Sequence, residues 1–129
     1  VRVELESFAT KLAAQRITES ELIKLQELSE AYQDADPTDK DVLIHLDGEF
    51  HSSLAKATHN KFLIKELEYY YNLSLRIWYI ALTYAMPDDI DVAAHLEILE
   101  AIENRDEDAA ALKMKKHIQD FHRTIKQYI

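Results

Sequence analysis

Apolar residues along the chain recur every three to four positions, the spacing of one helix face, and seldom alternate as in a strand. Six segments carry that period. The first covers about residues 1–15, with Leu5, Phe8, Ala9 and Leu12 at helical spacing. Thr18 followed by Glu21 forms a capping box that starts a second helix, running to about Ala35. Asp36-Pro37-Thr38 stops it, and a third helix runs from about Asp39 to Thr58, where His59-Asn60 ends it. The fourth, about 61–85, is apolar over most of its circumference, the pattern of a buried central helix. Met86-Pro87-Asp88 breaks it. A fifth helix continues to about Glu103, and Asn104-Arg105-Asp106 turns the chain into a sixth that reaches the end. The expected fold is all-α, an antiparallel bundle of about six helices formed as a single domain over residues 1–129.

Composition supports this reading and removes alternatives. One Gly and two Pro supply few of the turns that a β-fold needs. There is no Cys, which excludes disulfides and thiolate metal sites, so a metal must be held by nitrogen and oxygen. No apolar run is long enough to span a membrane and no signal peptide is evident, so a cytoplasmic location is expected. A net charge of −9 repels phosphate backbones, so this chain is not expected to grip nucleic acid by itself.

The candidate chemistry lies in polar residues on apolar faces. In the third helix the stripe is Leu43, Leu46, Phe50 and Leu54, and Asp47 falls inside it with His51 one turn further. A carboxylate there costs several kcal/mol unless something positive meets it, on the order of the penalty for burying an unpaired polar group. His95 shares the arc of Leu96, Leu99 and Ile102, and His117 sits among Ala110, Met114, Phe121 and Tyr128. The turn between the last two helices centres near Asp106, with His95 eleven positions before it and His117 eleven after. In an antiparallel hairpin, equal distance from the turn means equal height, so the two imidazoles face each other. One carboxylate and three imidazoles suit a divalent transition metal: zinc first, with nickel or manganese as alternatives. Taken singly, each His reads as a hydrogen-bonded core residue; taken together, the four read as a metal site. His45 and His59 project to the polar side, and His122 lies at the margin of an apolar face.

These residues also form a familiar pattern. Arg2-x-x-Leu5-Glu6-x-x-Ala9-x-x-Leu12-Ala13-Ala14 with Thr18, then Asp47-x-x-Phe50-His51 and Asn60, then His95-x-x-Ile98-Leu99-x-Ala101-Ile102, Asp106 and Met114-x-x-His117, occur in order over essentially the whole chain. The chain resembles the FCD domain, the effector domain of the FadR subfamily of GntR-type regulators. One departure is His59, where the family often has Gly. The resemblance implies that Asp47, His51, His95 and His117 bind the metal in a cavity of the bundle, beside a small carboxylic acid effector. It also implies a homodimer, and operator DNA bound only through an N-terminal winged helix-turn-helix absent from this chain. Arg2 and Arg76 are candidates to grip the effector carboxylate, since arginine pairs with it bidentately, and Asn60 is a further ligand-binding candidate. Tyr69, Tyr70, Tyr71 and Trp78 are candidate cavity-lining aromatics. Two other readings remain: a metal-dependent hydrolase or oxidoreductase on a helical bundle, and a bundle with neutral buried histidines that only dimerises.

Overall fold

The computed structural model describes residues 1–84 and 93–127, apart from the side chain of Leu82. The expected break at Met86-Pro87-Asp88, and Tyr128, lie outside the described residues. Within them the chain forms six helices: α1 (Arg2–Arg16), α2 (Glu19–Asp34), α3 (Lys40–Ala57), α4 (Lys61–Tyr84), α5 (Ala93–Glu103) and α6 (Glu107–Lys126). None of these helices is long and apolar enough to cross a membrane.

Local chemistry sets the ends. Thr18 and Glu21 make the reciprocal capping box at the start of α2, which stabilises a helix start by about 1 kcal/mol. Asp39 caps α3 through the amide of Val42, and Asp106 caps α6 through the amide of Ala109. His59 and Arg105 adopt left-handed backbone at the two helix exits, with φ of 55° and 53°. Gly fits that conformation most easily. His59 pairs there with Glu21, its Nε2 lying 3.0 Å from Oε1, which ties the α3 exit to the start of α2.

The main core gathers Leu25 of α2, Phe50 and Leu54 of α3, Ile98 and Ile102 of α5, and Met114 and Ile118 of α6 around Ala13 and Ala14 of α1. The small alanines let α1 pack closely against α6. A smaller cluster of Ala9, Ala55, Leu63 and Leu67 joins α1, α3 and the first half of α4.

Two expectations are corrected. α4 is not the buried central helix: Leu63, Leu67 and Ala81 are buried, but Phe62, Tyr69, Leu73, Ile77, Ile80 and Tyr84 face outward. Hydrophobicity all round a helix says that both faces avoid water, and here the chain covers only one of them. In α1 the inward face is also rotated from the expected stripe. Phe8 is exposed, whereas Arg2, Glu6 and Thr10 are buried beside Ala9 and Ala13. The same rotation carries two charged side chains into the bundle.

Candidate metal centre

Three helices deliver the four donors. Asp47 and His51 lie one turn apart on the inner face of α3, and Asp47 Oδ1 is 3.4 Å from His51 Nε2. From α5, His95 Nε2 reaches the same oxygen at 3.0 Å. His117 of α6 stands opposite His95 with ring centroids 5.4 Å apart, the facing expected from their equal distance to the turn. One donor atom from each of the four residues lies within 4.8 Å of the others. Asp47, His51 and His95 are buried and His117 partly so.

A tetrahedral zinc ion with bonds near 2.0–2.1 Å would hold its donors roughly 3.3 Å apart. The 3.0 and 3.4 Å separations around Asp47 Oδ1 already match that scale. With three nitrogens, one oxygen and no thiolate, the donor chemistry fits a divalent transition metal.

Electrostatics favour a cation at this point. Burial raises the carboxyl pKa of Asp47, but the charge of His51 and hydrogen bonds from His51 and His95 outweigh it and hold the group well below the usual range. Burial works against a charged His51, yet Asp47 and Glu6 together raise its pKa to about 10. His117 goes the other way: burial, with His51 and His95 close by, lowers it to about 3. The cluster thus keeps one imidazole cationic between two carboxylates and another neutral with its lone pair free for coordination. A metal cation can replace the proton on His51 as the source of positive charge.

Around the donors stand supporting residues: Glu6, Phe50 and Tyr32, which the sequence did not mark for this role, and Tyr71, one of the candidate aromatics. Glu6 Oε2 lies 3.1 Å from His51 Nδ1, the arrangement that fixes an imidazole's tautomer and aims its other nitrogen. Phe50 stacks on the His95 ring at 4.0 Å, and Tyr32 lies against it at 4.4 Å. The phenol of Tyr71 donates to Asp47 Oδ2 at 3.0 Å, leaving Oδ1 for the histidines. A Cβ at Gly48 would come within 3.3 Å of that phenol oxygen. The sole glycine of the chain, unfavourable by about 1 kcal/mol inside a helix, therefore stands where Tyr71 crosses α3. Its isolation within a helical pattern is the one sequence signal that marks this contact.

The ligand candidates take different places. Arg2 is buried, with its guanidinium carbon 5.6 Å from the ring centres of both Tyr71 and Phe121. Its Nε has no hydrogen-bond partner among the described residues, and Glu6 Oε1 lies 4.0 Å away. Asn60 caps α4, its Oδ1 accepting from the amides of Phe62 and Leu63. Arg76 is on the exposed side of α4, away from the cluster. Of the aromatic candidates, Tyr71 joins the cluster, Trp78 packs on Phe121, and Tyr69 faces outward. A cavity of about 280 Å³ opens between α3 and α4, lined among others by Glu6, His51, Ser52, Glu68, Tyr71 and Asn72.

Comparison with known proteins places this arrangement in context. Residues 1–120 match the sequence profile of the family described as the FCD domain. The HTH-type transcriptional repressor RspR of Escherichia coli K12 is 26% identical over 128 residues, which is 98% of this chain and 56% of that protein. The uncharacterised HTH-type transcriptional regulator YdfH of Shigella flexneri matches to the same extent. This chain therefore spans little more than half the length of these relatives. Among solved structures, E. coli McbR/YncC superposes with a TM-score of 0.89 at 20% identity, over 99% of this chain and 65% of that one. Streptococcus agalactiae GntR superposes with a TM-score of 0.79 at 32% identity, over 95% of this chain and 55% of that one.

Proposed function

The chain belongs to the FCD domain family of GntR-type transcriptional regulators, and from that premise we propose that it senses a small organic acid at a metal held by Asp47, His51, His95 and His117. The observation that carries the proposal is the convergence of four metal-capable atoms within 4.8 Å inside a bundle that otherwise buries apolar side chains. A bound divalent metal would supply a Lewis-acidic position for one carboxylate oxygen of the effector.

The residues around it serve binding. Arg2, buried and with no hydrogen bond from its Nε among the described residues, offers the charge-assisted donor for the rest of the effector's carboxylate. Tyr71 and Phe121 hold the guanidinium between their rings. Glu6 keeps His51 aimed at the metal position, and Tyr71 does the same for Asp47. Because α1, α3, α4, α5 and α6 all contribute, an effector that binds one arrangement of these helices more tightly than another shifts the balance between them. In the whole regulator that shift passes to a DNA reader outside this chain, which is acidic and suited to sensing rather than to DNA. The whole protein acts in the cytoplasm as a homodimer on operator DNA.

The relatives found are regulators of transcription, and the hydrolase or oxidoreductase alternative has no counterpart among them. Glu6, the further carboxylate at the cluster, is engaged with His51 rather than free to act as a base.

The test is to purify the chain without chelator, measure its metal content, and run a thermal-shift panel of small carboxylic acids with and without metal. About one metal per chain is expected, with a rise in melting temperature for particular acids only when metal is present. No stoichiometric metal, together with a melting temperature that chelator leaves unchanged, would end the metal reading. Metal without any responsive acid would end the sensing reading.

A further inference from the structure

The outer face of α4 takes no part in the metal cluster. It carries Phe62 (73% exposed), Tyr69 (58%), Leu73 (56%) and Ile80 (43%), flanked by Ile77 and Tyr84, which are also exposed. Scattered exposed apolar residues are ordinary, but a contiguous stripe along one helix marks a contact surface.

Two charges interrupt the stripe. Glu66 and Arg76 are exposed on the same face, and among the described residues neither takes part in an ion pair within the chain. Together the positions are Phe62, Glu66, Tyr69, Leu73, Arg76 and Ile80, separated by four, three, four, three and four residues. Those spacings average 3.6 residues, the period of a straight α-helix, so the six positions line one face of α4 along its length.

We propose that this face pairs with α4 of a second copy of the chain, antiparallel, about a twofold axis beside residue 71. This rests on the homodimer reading above and specifies its interface. A twofold axis makes each contact occur twice, with residue i meeting j and j meeting i. Placed at residue 71, it sets Phe62 against Ile80 of the second copy, Tyr69 against Leu73, and Glu66 against Arg76. Every seam position then has a partner, and both charges are neutralised.

Other registers do worse. Sliding one helix past the other by a heptad sets Glu66 against Tyr69, or Arg76 against Leu73, and leaves the far end of the stripe uncovered. A parallel pair stacks Glu66 on Glu66 and Arg76 on Arg76. The charges therefore act less as a source of stability than as a register and orientation device, a use of polar seam positions with good physical precedent. Tyr71 points away from this axis toward Asp47, so one helix carries the site contact on one side and the proposed dimer contact on the other.

The experiment uses Glu66→Arg and Arg76→Glu, separately, mixed, and combined in one chain, with association followed by analytical ultracentrifugation. Both positions are exposed, and circular dichroism of each variant checks the fold. Unmodified chain is expected to dimerise. Each single variant should weaken its own dimer by about tenfold or more, because like charges then meet twice across the axis. Mixing the two variants should restore a heterodimer, and the doubly substituted chain should restore a homodimer. If the unmodified chain dimerises but the single variants dimerise equally well, or the mixture does not recover, the α4 register is overturned while the homodimer reading stands. If the unmodified chain stays monomeric at high micromolar concentration, both fail.

Discussion

The inner face of α3 and the outer face of α4 depart from the usual distribution of side chains in opposite directions. On α3, a carboxylate and an imidazole are buried where leucines and phenylalanine form the stripe. On α4, tyrosines, leucine and isoleucines stand in water along one face, interrupted by Glu66 and Arg76. A buried charge needs a counter-charge, and an exposed apolar seam needs a cover. The first region calls for a cation and the second for a protein surface. The lesson is that residues at odds with their surroundings on this fold say more about what it binds than about how it folds. Tyr71 links the two, since it sits on α4 and donates to Asp47.

Replacing Asp47 by Ala tests the contrast most severely. It leaves the cationic His51 facing only Glu6, and breaking a buried pair in this way destabilises by about 3–5 kcal/mol. Chemical denaturation should show that loss, and calorimetry should show that stoichiometric zinc binding is gone. Leu73→Ala on α4 should change the stability of the monomer by less than about 0.5 kcal/mol, as expected for a surface site. Equal losses at both positions would erase the distinction between the regions.

The pH dependence comes next. His51 has its pKa raised to about 10, so near neutral pH it holds a proton that a metal must displace. Zinc binding should therefore release about one proton per chain, and affinity should rise about tenfold per pH unit while that proton is the competitor. Calorimetry in buffers of different ionisation enthalpy measures the proton count. Uptake of protons, or pH-independent affinity, would contradict the assignment of charge within the cluster.

In the metal-free chain, the signs differ between the histidines. His51 is raised, so its contribution to stability is complete below its ordinary 6.5 and is lost as pH rises through about 10. His117 is lowered to about 3, so the unfolded chain takes up its proton first and stability falls as pH drops from about 6.5 toward 3. Melting temperatures across this range should decline at both ends. Replacing His117 with Gln should flatten the fall on the acid side.

A smaller effect is expected at the link between the regions. Tyr71→Phe removes the hydrogen bond to Asp47 Oδ2 and should weaken zinc binding by about tenfold, the lower end for a supporting contact of this kind. Gly48→Ala should act in the same direction by crowding the phenol. If Tyr71→Phe leaves zinc affinity unchanged, α4 is not coupled to the centre through this bond.

The sequence by itself determined the helices and much of the centre. Caps such as Thr18 with Glu21 and Asp106 with Ala109 are local, and the helical period places Asp47 and His51 on one face whatever surrounds them. The facing of His95 and His117 followed from a short hairpin, in which distance from the turn fixes height. Only the tertiary structure decided which of two apolar sides of α4 the bundle would cover, because periodicity records a preference to avoid water and not which neighbour satisfies it. The same limit hid the role of Glu6, and which of the candidate aromatics, Tyr71, reaches Asp47. Each meets the centre from a helix distant in sequence, across 45 residues for Glu6 and His51 and across 24 for Tyr71 and Asp47. Those pairings depend on helix rotation and packing, which no single segment encodes.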